Sequence, residues 1–431
     1  MSDEVAAASR ERAWLVAAGT LVVAAAIARF HNAFAYPPLQ DYDGAGHALN
    51  FFALYEGRLP DPQSWSGFHP PLAYAFGAAL WHLLPSGVPV HAALRLLSAA
   101  AGFGAVAIAW RALRRFVPAA DAAIVAAFVL CAPVMAIATS MLGNETTCAF
   151  LATAALSRLL AIPDDPSAAR RHGALTILLA ALAALAKSTG LGVVGVVGLA
   201  YLWRVRRAGA AALASTALLL GGVALVALAP HYGKLLWQGG SALAIVSGGV
   251  AGAAVGEMAQ QPPGVRHVAD YFSFPAAALF APFKDGQDMV RSVPGLLYAT
   301  IWADGHGEFL PVSERSVVGA ASLSALFGLV PTFVAGVGLA RILRRPPLRN
   351  AMGAPLLFAA LLIAALLVQT WLVPRFSAVK ASYLLSALLP ASLAIGVGVA
   401  TARPLTRSVL RGTLLAIGCY ATFLTWYGWW K

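Results

Sequence analysis

The chain has 431 residues, 60% hydrophobic and 11% charged, with a net charge of +12 and a mean hydropathy of +0.74. That composition excludes a water-soluble globular domain, and its apolar runs, near the roughly 20 residues that cross a bilayer, specify an all-α polytopic membrane protein. The arginines lie in short clusters between those runs and are not interleaved with aromatics, which argues against a nucleic-acid partner. Cys131, Cys148 and Cys419 are too scattered for a disulfide framework or a zinc site and read as packing residues.

The first apolar run, 13–30, is followed by no small-residue cleavage site and is read as a retained helix. It opens into a polar stretch, 31–89, that carries Asp41-Tyr42-Asp43-Gly44-Ala45-Gly46-His47 and, further on, His69-Pro70-Pro71-Leu72. From Asp43 to Tyr55 the spacing predicts a helix with Asp43, His47 and Asn50 at i, i+4 and i+7 on one face. Asp43 also suits the N-cap of that helix, but capping does not account for Asp41, His47 and Asn50 beside it. The apolar residues on the other faces suggest a segment lying in the membrane interface with its polar edge exposed. Leu72 to Leu84 is apolar, follows two prolines, ends at Pro85 and is too short to cross. It is placed as a second juxtamembrane or re-entrant helix of the same outer loop.

Six spans follow, at 90–110, 120–141, 146–162, 173–187, 190–204 and 210–229. Between the second and third of them sits Gly143-Asn144-Glu145-Thr146, where Glu145 reads equally as a solvated turn residue or as an acid of a site. Asn144-Glu145-Thr146 matches a glycosylation sequon by accident of composition. Lys187 ends the span that begins at 173, and glycine-rich runs such as Gly190 to Gly198 suit close helix packing in lipid. Residues 230–315 form a long Gly/Pro-rich, aromatic and polar segment with Trp237, Tyr271, Phe272, Phe274, Trp302, Asp304, His306 and Glu308. A connection of that length is expected to be functional. The last four spans are 316–340, 352–371, 383–400 and 410–428; between the middle two lie Arg375 and Lys380, and Tyr383 opens the third. Cations at such positions are costly unless paired or wet, so Lys187, Arg375 and Lys380 are candidates for an anionic ligand, with snorkelling to headgroups as the alternative.

With eleven spans, the clusters Arg10/Arg12, Arg111/Arg114/Arg115, Arg170/Arg171, Arg204/Arg206/Arg207, Arg341/Arg344/Arg345/Arg349 and Arg403/Arg407/Arg411 all fall on one side. The positive-inside rule makes that side cytoplasmic, along with the N-terminus, in a bacterial-type inner or plasma membrane. The C-terminus is then outside, where Trp426, Trp429 and Trp430 suit an interfacial belt. Every histidine except His172 falls outside too, as do Asp41 and Asp43, so the expected chemistry is extracytoplasmic. That placement disfavours nucleotide co-substrates, and no Walker A or dinucleotide motif is present. The organisation read from these features is an N-terminal transmembrane module, 1–229, containing the outer loop 31–89, then an outer segment, 230–315, and C-terminal helices, 316–431.

Asp43-x-x-x-His47, Gly57-Arg58-Leu59-Pro60 and Phe68-His69-Pro70-Pro71-Leu72 resemble the first outer loop of GT-C membrane glycosyltransferases, in particular protein O-mannosyltransferases and lipid A aminoarabinose transferases. The resemblance covers mainly residues 1–190, with a looser match from Lys380 to Pro390. It implies an inverting transfer of a sugar from a polyprenyl-phosphate donor to a hydroxyl of a lipid, glycan or protein acceptor. It further implies Asp43 as base, Glu145 as a second acid that positions substrate or a metal, and Lys187 near the lipid phosphate. Where the family has an acidic pair this chain has Asp43-Gly44, so Asp41 replaces the second acid or Asp43 acts alone.

Residue types agree with that chemistry: a phosphate leaves without a general acid, one carboxylate takes the acceptor proton, and cations stabilise the departing charge. Arg375 and Lys380 are expected as phosphate ligands by charge and topology, and Tyr383 as part of the same binding stretch. His47 and His69 would orient the base or bind a divalent cation such as Mg or Mn, although their spacing is not that of a metal site. Two other readings stay open. One is a transporter or flippase of a lipid-linked anion, which is disfavoured by the lack of a second copy of the acid-rich loop. The other is a non-catalytic relative that binds lipid-linked sugar.

Overall fold

A computed structural model describes residues 2–61, 66–163, 165–239, 261–310 and 314–427. Trp429, Trp430 and part of the 230–315 segment therefore lie outside the described residues. Among the described residues every regular element is helical, apart from one isolated antiparallel bridge between Pro263 and Arg375.

Each of the eleven expected spans falls on a helix. In chain order, with the two helices of the outer loop included, these are α1 (Ser2–Ala35), α2 (Gly44–Tyr55), α3 (Leu72–Leu83), α4 (Val90–Leu113), α5 (Ala119–Cys131), α6 (Pro133–Ala138), α7 (Glu145–Leu159), α8 (Pro166–Ala186), α9 (Gly190–Val205) and α10 (Ala210–Leu228). After them come the short α11 (Val293–Trp302), then α12 (Arg315–Arg344), α13 (Pro346–Leu372), α14 (Leu388–Ala400) and α15 (Pro404–Tyr427). Eight segments are long and apolar enough to cross a membrane by length and composition. The shorter three are α5, α7 and α9, with 13, 15 and 16 residues.

The expected continuous span 120–141 is broken. Ala132 precedes Pro133, and the proline ring excludes helical geometry for the residue before it, so Ala132 is extended at φ −52°, ψ 138° and α6 restarts at a new angle. The last turn before α14 is likewise a 3-10 segment, Ala381–Ala387.

Close packing in the Gly190–Gly198 run is confined to its start, where a Cβ at Gly190 would lie 2.3 Å from the Ala183 backbone of α8, and it recurs elsewhere in the bundle. A Cβ at Gly195 or Gly198 would meet nothing within 4 Å. One at Gly338 of α12 would lie 1.8 Å from the Ala394 carbonyl oxygen, and one at Gly398 of α14 2.3 Å from that of Val334. These two glycines let the α12 and α14 backbones touch, the use small residues have where lipid supplies no hydrophobic drive between helices.

Polar contacts mark two ends of the bundle. At one end Arg411 donates to Asp121 (2.6 Å) and Glu11 (2.7 Å), and Arg407 also donates to Asp121 (3.1 Å), tying the N-terminal parts of α15, α5 and α1. Three chain passages lead away from that end: α1 to Asp41, α5–α6 to Glu145, and α14, read backwards, to Lys380. The acids and lysines of interest therefore gather at the other end. The 230–315 segment is less polar than its composition implied, because α11 is apolar and Leu296, Ala299 and Trp302 are buried. Cys131 and Cys148 are buried as expected, whereas Cys419 is exposed on α15.

Candidate active site

The site starts from a loop with no regular structure, 36–43, held by an arginine. Arg95 of α4 is fully buried, and its guanidinium donates to the carbonyls of Tyr36 (2.8 Å), Pro37 (2.6 Å) and Gln40 (3.2 Å). Pro37 and Pro38 cannot donate, so this stretch presents carbonyls, and a five-donor fork is suited to gather them. Asp41 fastens the far end of the loop: its carboxylate accepts from the backbone N–H of Leu142 (2.7 Å) and of Asp43 (3.3 Å). Burial pushes this carboxyl up to about 6, with the Leu142 N–H and His47 acting in the opposite direction.

Gly44 is a steric requirement. A Cβ there would lie 2.6 Å from both the Leu39 carbonyl oxygen and the Asp41 Cβ. The acidic pair of the GT-C loop therefore has no room here, because any side chain at 44 collides with the loop that carries Asp41. Asp43 occupies the N-cap position of α2 but makes no capping hydrogen bond. Its carboxylate instead pairs with Lys380, 2.7 Å away and 337 residues later in the chain. Burial alone would raise the Asp43 carboxyl. Lys380, supported by His47 and His69, outweighs it and holds the group below the usual carboxylate range.

The face Asp43–His47–Asn50 turns inward, contrary to the expected exposed polar edge. His47 and Asn50 are buried, while Leu49 and Phe52 are exposed. Asn50 donates to the Ser66 carbonyl (2.9 Å), and Ser66 Oγ to that of Gly46 (3.1 Å). His47 Nδ1 and the Tyr74 hydroxyl share a 2.7 Å hydrogen bond, and His69 stacks on His47 at 5.4 Å between ring centroids. Burial pushes the His69 imidazolium down to about 3, so it is neutral at ordinary pH.

Glu145, expected either in a solvated turn or in a site, is 4% exposed and pairs with Lys187 at 2.6 Å. Asn144 is fully buried, which rules it out as an accessible glycosylation acceptor. Lys187 and Lys380 are 7% and 4% exposed, so neither snorkels. Both ammonium groups face one ring: Lys187 Nζ lies 4.5 Å and Lys380 Nζ 5.9 Å from the Tyr383 centroid. Asp43, Lys380, Tyr383, Lys187 and Glu145 thus form one connected cluster, with His47 and His69 beside Asp43. Arg375 differs from Lys380: its described contacts are of the backbone, which bridges to Pro263 and accepts from Arg266 (3.2 Å). Among the described residues no three of His, Cys, Asp and Glu are grouped to hold a metal ion.

Sequence reasoning missed three contributors. Arg95 was hidden inside an apolar span, where a lone arginine signals a buried role. Tyr74 sat among core aromatics. Tyr42, between the two aspartates, donates to Asp304 (3.1 Å) and faces Lys380 at 5.4 Å, joining the 261–310 segment to the site. Asp304, which also accepts from the Phe309 and Leu310 N–H groups, is pushed up to about 6 by burial. His306 donates to the Val379 carbonyl (3.1 Å) next to Lys380.

No family model and no curated protein matches the sequence. Among solved structures, ArnT from Cupriavidus metallidurans bound to undecaprenyl phosphate is similar with a TM-score of 0.53 at 15% identity, over 95% of this chain and 75% of that one. The fold is GT-C-like. ArnT in the apo state aligns with a TM-score of 0.42 at 17% identity, over 90% and 77%. The likeness in fold to the undecaprenyl-phosphate-bound ArnT covers 95% of this chain, beyond residues 1–190 and 380–390 that carry the sequence resemblance.

Two outcomes follow for the loop. Gly44→Ala costs about 1–3 kcal/mol by overpacking, whereas Gly195→Ala, in open space on a helix, is neutral or stabilising. Thermal unfolding in detergent checks the pair. Because Asp41 binds its proton more tightly when folded, its contribution to stability is full at low pH and is lost as pH rises from about 4 through about 6. Asp41→Asn removes that loss, so stability of the variant minus that of the wild type rises across this window. A flat difference contradicts the buried, titrating Asp41.

Proposed function

We propose that this chain is an integral-membrane, inverting glycosyltransferase that moves a sugar from a polyprenyl-phosphate donor to an acceptor hydroxyl, with Asp43 as base. The observation that carries the reading is the joining of two acid–lysine pairs, Asp43–Lys380 and Glu145–Lys187, over the single ring of Tyr383. The undecaprenyl phosphate bound to the ArnT of similar fold supports a polyprenyl phosphate as the lipid partner.

Of the three acids Asp43 has the most open side chain, 24% exposed, which favours it over Asp41 and Glu145 as the group that meets the acceptor hydroxyl. Without ligand, two lysines balance two carboxylates. A donor phosphate brought to Lys380 and Lys187 adds negative charge, and that surplus raises the proton affinity of Asp43, which its lysine otherwise depresses. The acceptor oxygen then attacks the anomeric carbon and its proton passes to Asp43. The bond from that carbon to the phosphate oxygen breaks, and the leaving phosphate takes the electron pair under the two ammonium groups. Each ammonium has three donors, of which its carboxylate uses one. Arg375, on the same stretch as Lys380, is assigned to the phosphate as a further cation.

A cavity of about 210 Å³ beside the cluster is lined by Thr189, Phe358, Leu362, Leu366, Gln369 and Tyr383. Its apolar wall between α9 and α13 suits the first isoprene units of such a carrier. The arginine-rich helix ends lie away from the site, which supports an extracytoplasmic reaction by the positive-inside rule. The acceptor is taken to be a lipid, glycan or protein hydroxyl, and a divalent cation is left as a test by chelation.

Asp43→Asn is expected to lower turnover of polyprenyl-phosphate sugars about 100-fold or more, the usual worth of a positioned base, while carrier binding persists. The assay uses full-length protein in nanodiscs with a donor panel, and turnover that survives the substitution unchanged overturns the assignment.

A further inference from the structure

The buried polar atoms that lack a hydrogen-bond partner are unevenly distributed. Five of the fourteen found among the described residues belong to one neighbourhood: both amide atoms of Asn144, Oε2 of Glu145, and the hydroxyls of Thr146 and Ser382. Asn144 and Thr146 flank Glu145 at the start of α7, and Ser382 lies between Lys380 and Tyr383. The two elements pack together, with the Cys148 thiol 3.3 Å from Ser386 Oγ, so these groups border the cluster that holds both ion pairs.

Asn144 is the most informative of them. Asparagine at an N-cap position ordinarily satisfies the first turn of its helix, yet this one makes no cap bond and is 0% exposed. Thr146 and Ser382 are 1% and 4% exposed. Hydroxyls and an amide withheld from water and from protein partners are unfavourable unless something polar completes them. Their chemistry narrows that partner. Two hydroxyls and a primary amide, each able to donate and accept, match a neutral group dense in hydroxyls, whereas an anion would call for donors alone.

We propose that Asn144, Thr146 and Ser382 form the subsite for the hydroxyls of the sugar carried by the donor, with Glu145 Oε2 accepting one of them. This rests on the glycosyltransferase reading and adds to it: the lysines take the phosphate, and the N-terminal turn of α7 with the start of the 3-10 segment takes the sugar. The same residues explain Asn144-Glu145-Thr146 without glycosylation.

The test compares binding of undecaprenyl phosphate with that of undecaprenyl-phosphate glucose, mannose and 4-aminoarabinose to full-length protein in nanodiscs. Variants are Asn144→Ala, Thr146→Val and Ser382→Ala. The wild type is expected to bind at least one sugar-loaded carrier about tenfold more tightly than the bare carrier, and each variant to lose most of that preference while binding the bare carrier normally. Thr146→Val and Ser382→Ala, which nearly conserve volume, should also unfold at or above the wild-type temperature without ligand, because no protein hydrogen bond is lost. Equal binding of loaded and bare carrier by the wild type, or a preference kept by all three variants, overturns the subsite and leaves the phosphate site standing. A wild type that does not bind the bare carrier overturns the underlying reading instead. Variants that unfold early and lose both ligands equally show a structural role and overturn the subsite.

Discussion

A lysine buried at the edge of a membrane domain must meet a carboxylate, and the contact between Lys380 and Asp43 at 2.7 Å is the constraint around which this protein is arranged. Leaving either partner alone in that environment would cost several kcal/mol. The chain therefore has to deliver Asp43 to one place, and the loop before it shows how. Arg95 gathers the carbonyls of a stretch with two prolines, Asp41 accepts the N–H of Leu142, and Gly44 lets the backbone turn against Leu39 without a side chain. Each of these fixes the path of the backbone that carries Asp43. The second pair, Glu145–Lys187, is built by two helix ends alone, and the ring of Tyr383 places the two pairs side by side.

The sequence made part of this legible for physical reasons. Apolar runs of bilayer length locate helices because an unsatisfied backbone in lipid is prohibitive, and Asp43, Glu145, Lys187 and Lys380 stood out because charges beside such runs are expensive. The direction of α2 is not legible in the sequence, because helical spacing gives a polar edge without saying whether water or protein meets it. In this bundle the partners of His47 and Asn50 lie inside, so Leu49 and Phe52 take the outer face. Arg95 and Tyr74 look like ordinary members of apolar helices, and only three-dimensional placement reveals what they bond. The break at Pro133 was visible as a residue type, but its effect depended on whether neighbouring helices would accept a kink. Gly44 was legible only as a departure from a pattern; the 2.6 Å approach to the Leu39 carbonyl supplies its cause.

The GT-C-like fold and the local chemistry bear on different questions. Likeness to ArnT at 15% identity concerns the path of the backbone, and at that distance function has to be argued from the site itself. Here the site offers one partly open carboxylate, a second acid held by its own lysine, and an apolar cavity beginning at the aromatic ring between them. Those parts suit a phosphate with a hydrocarbon tail. In the proposed reading, recognition of the sugar falls to the hydroxyl and amide groups around Glu145.

The central claim is that Lys187 and Lys380 hold one phosphate together. Solid-state NMR of full-length protein in nanodiscs, with 15N-labelled lysine side chains and undecaprenyl phosphate, measures it through 15N–31P distances, with Lys→Arg variants assigning the signals. The account predicts that both ammonium nitrogens lie within about 5 Å of the phosphorus, as direct charge-assisted contacts require. Phosphorus near neither lysine, or near Lys234 or Lys284 instead, would contradict it.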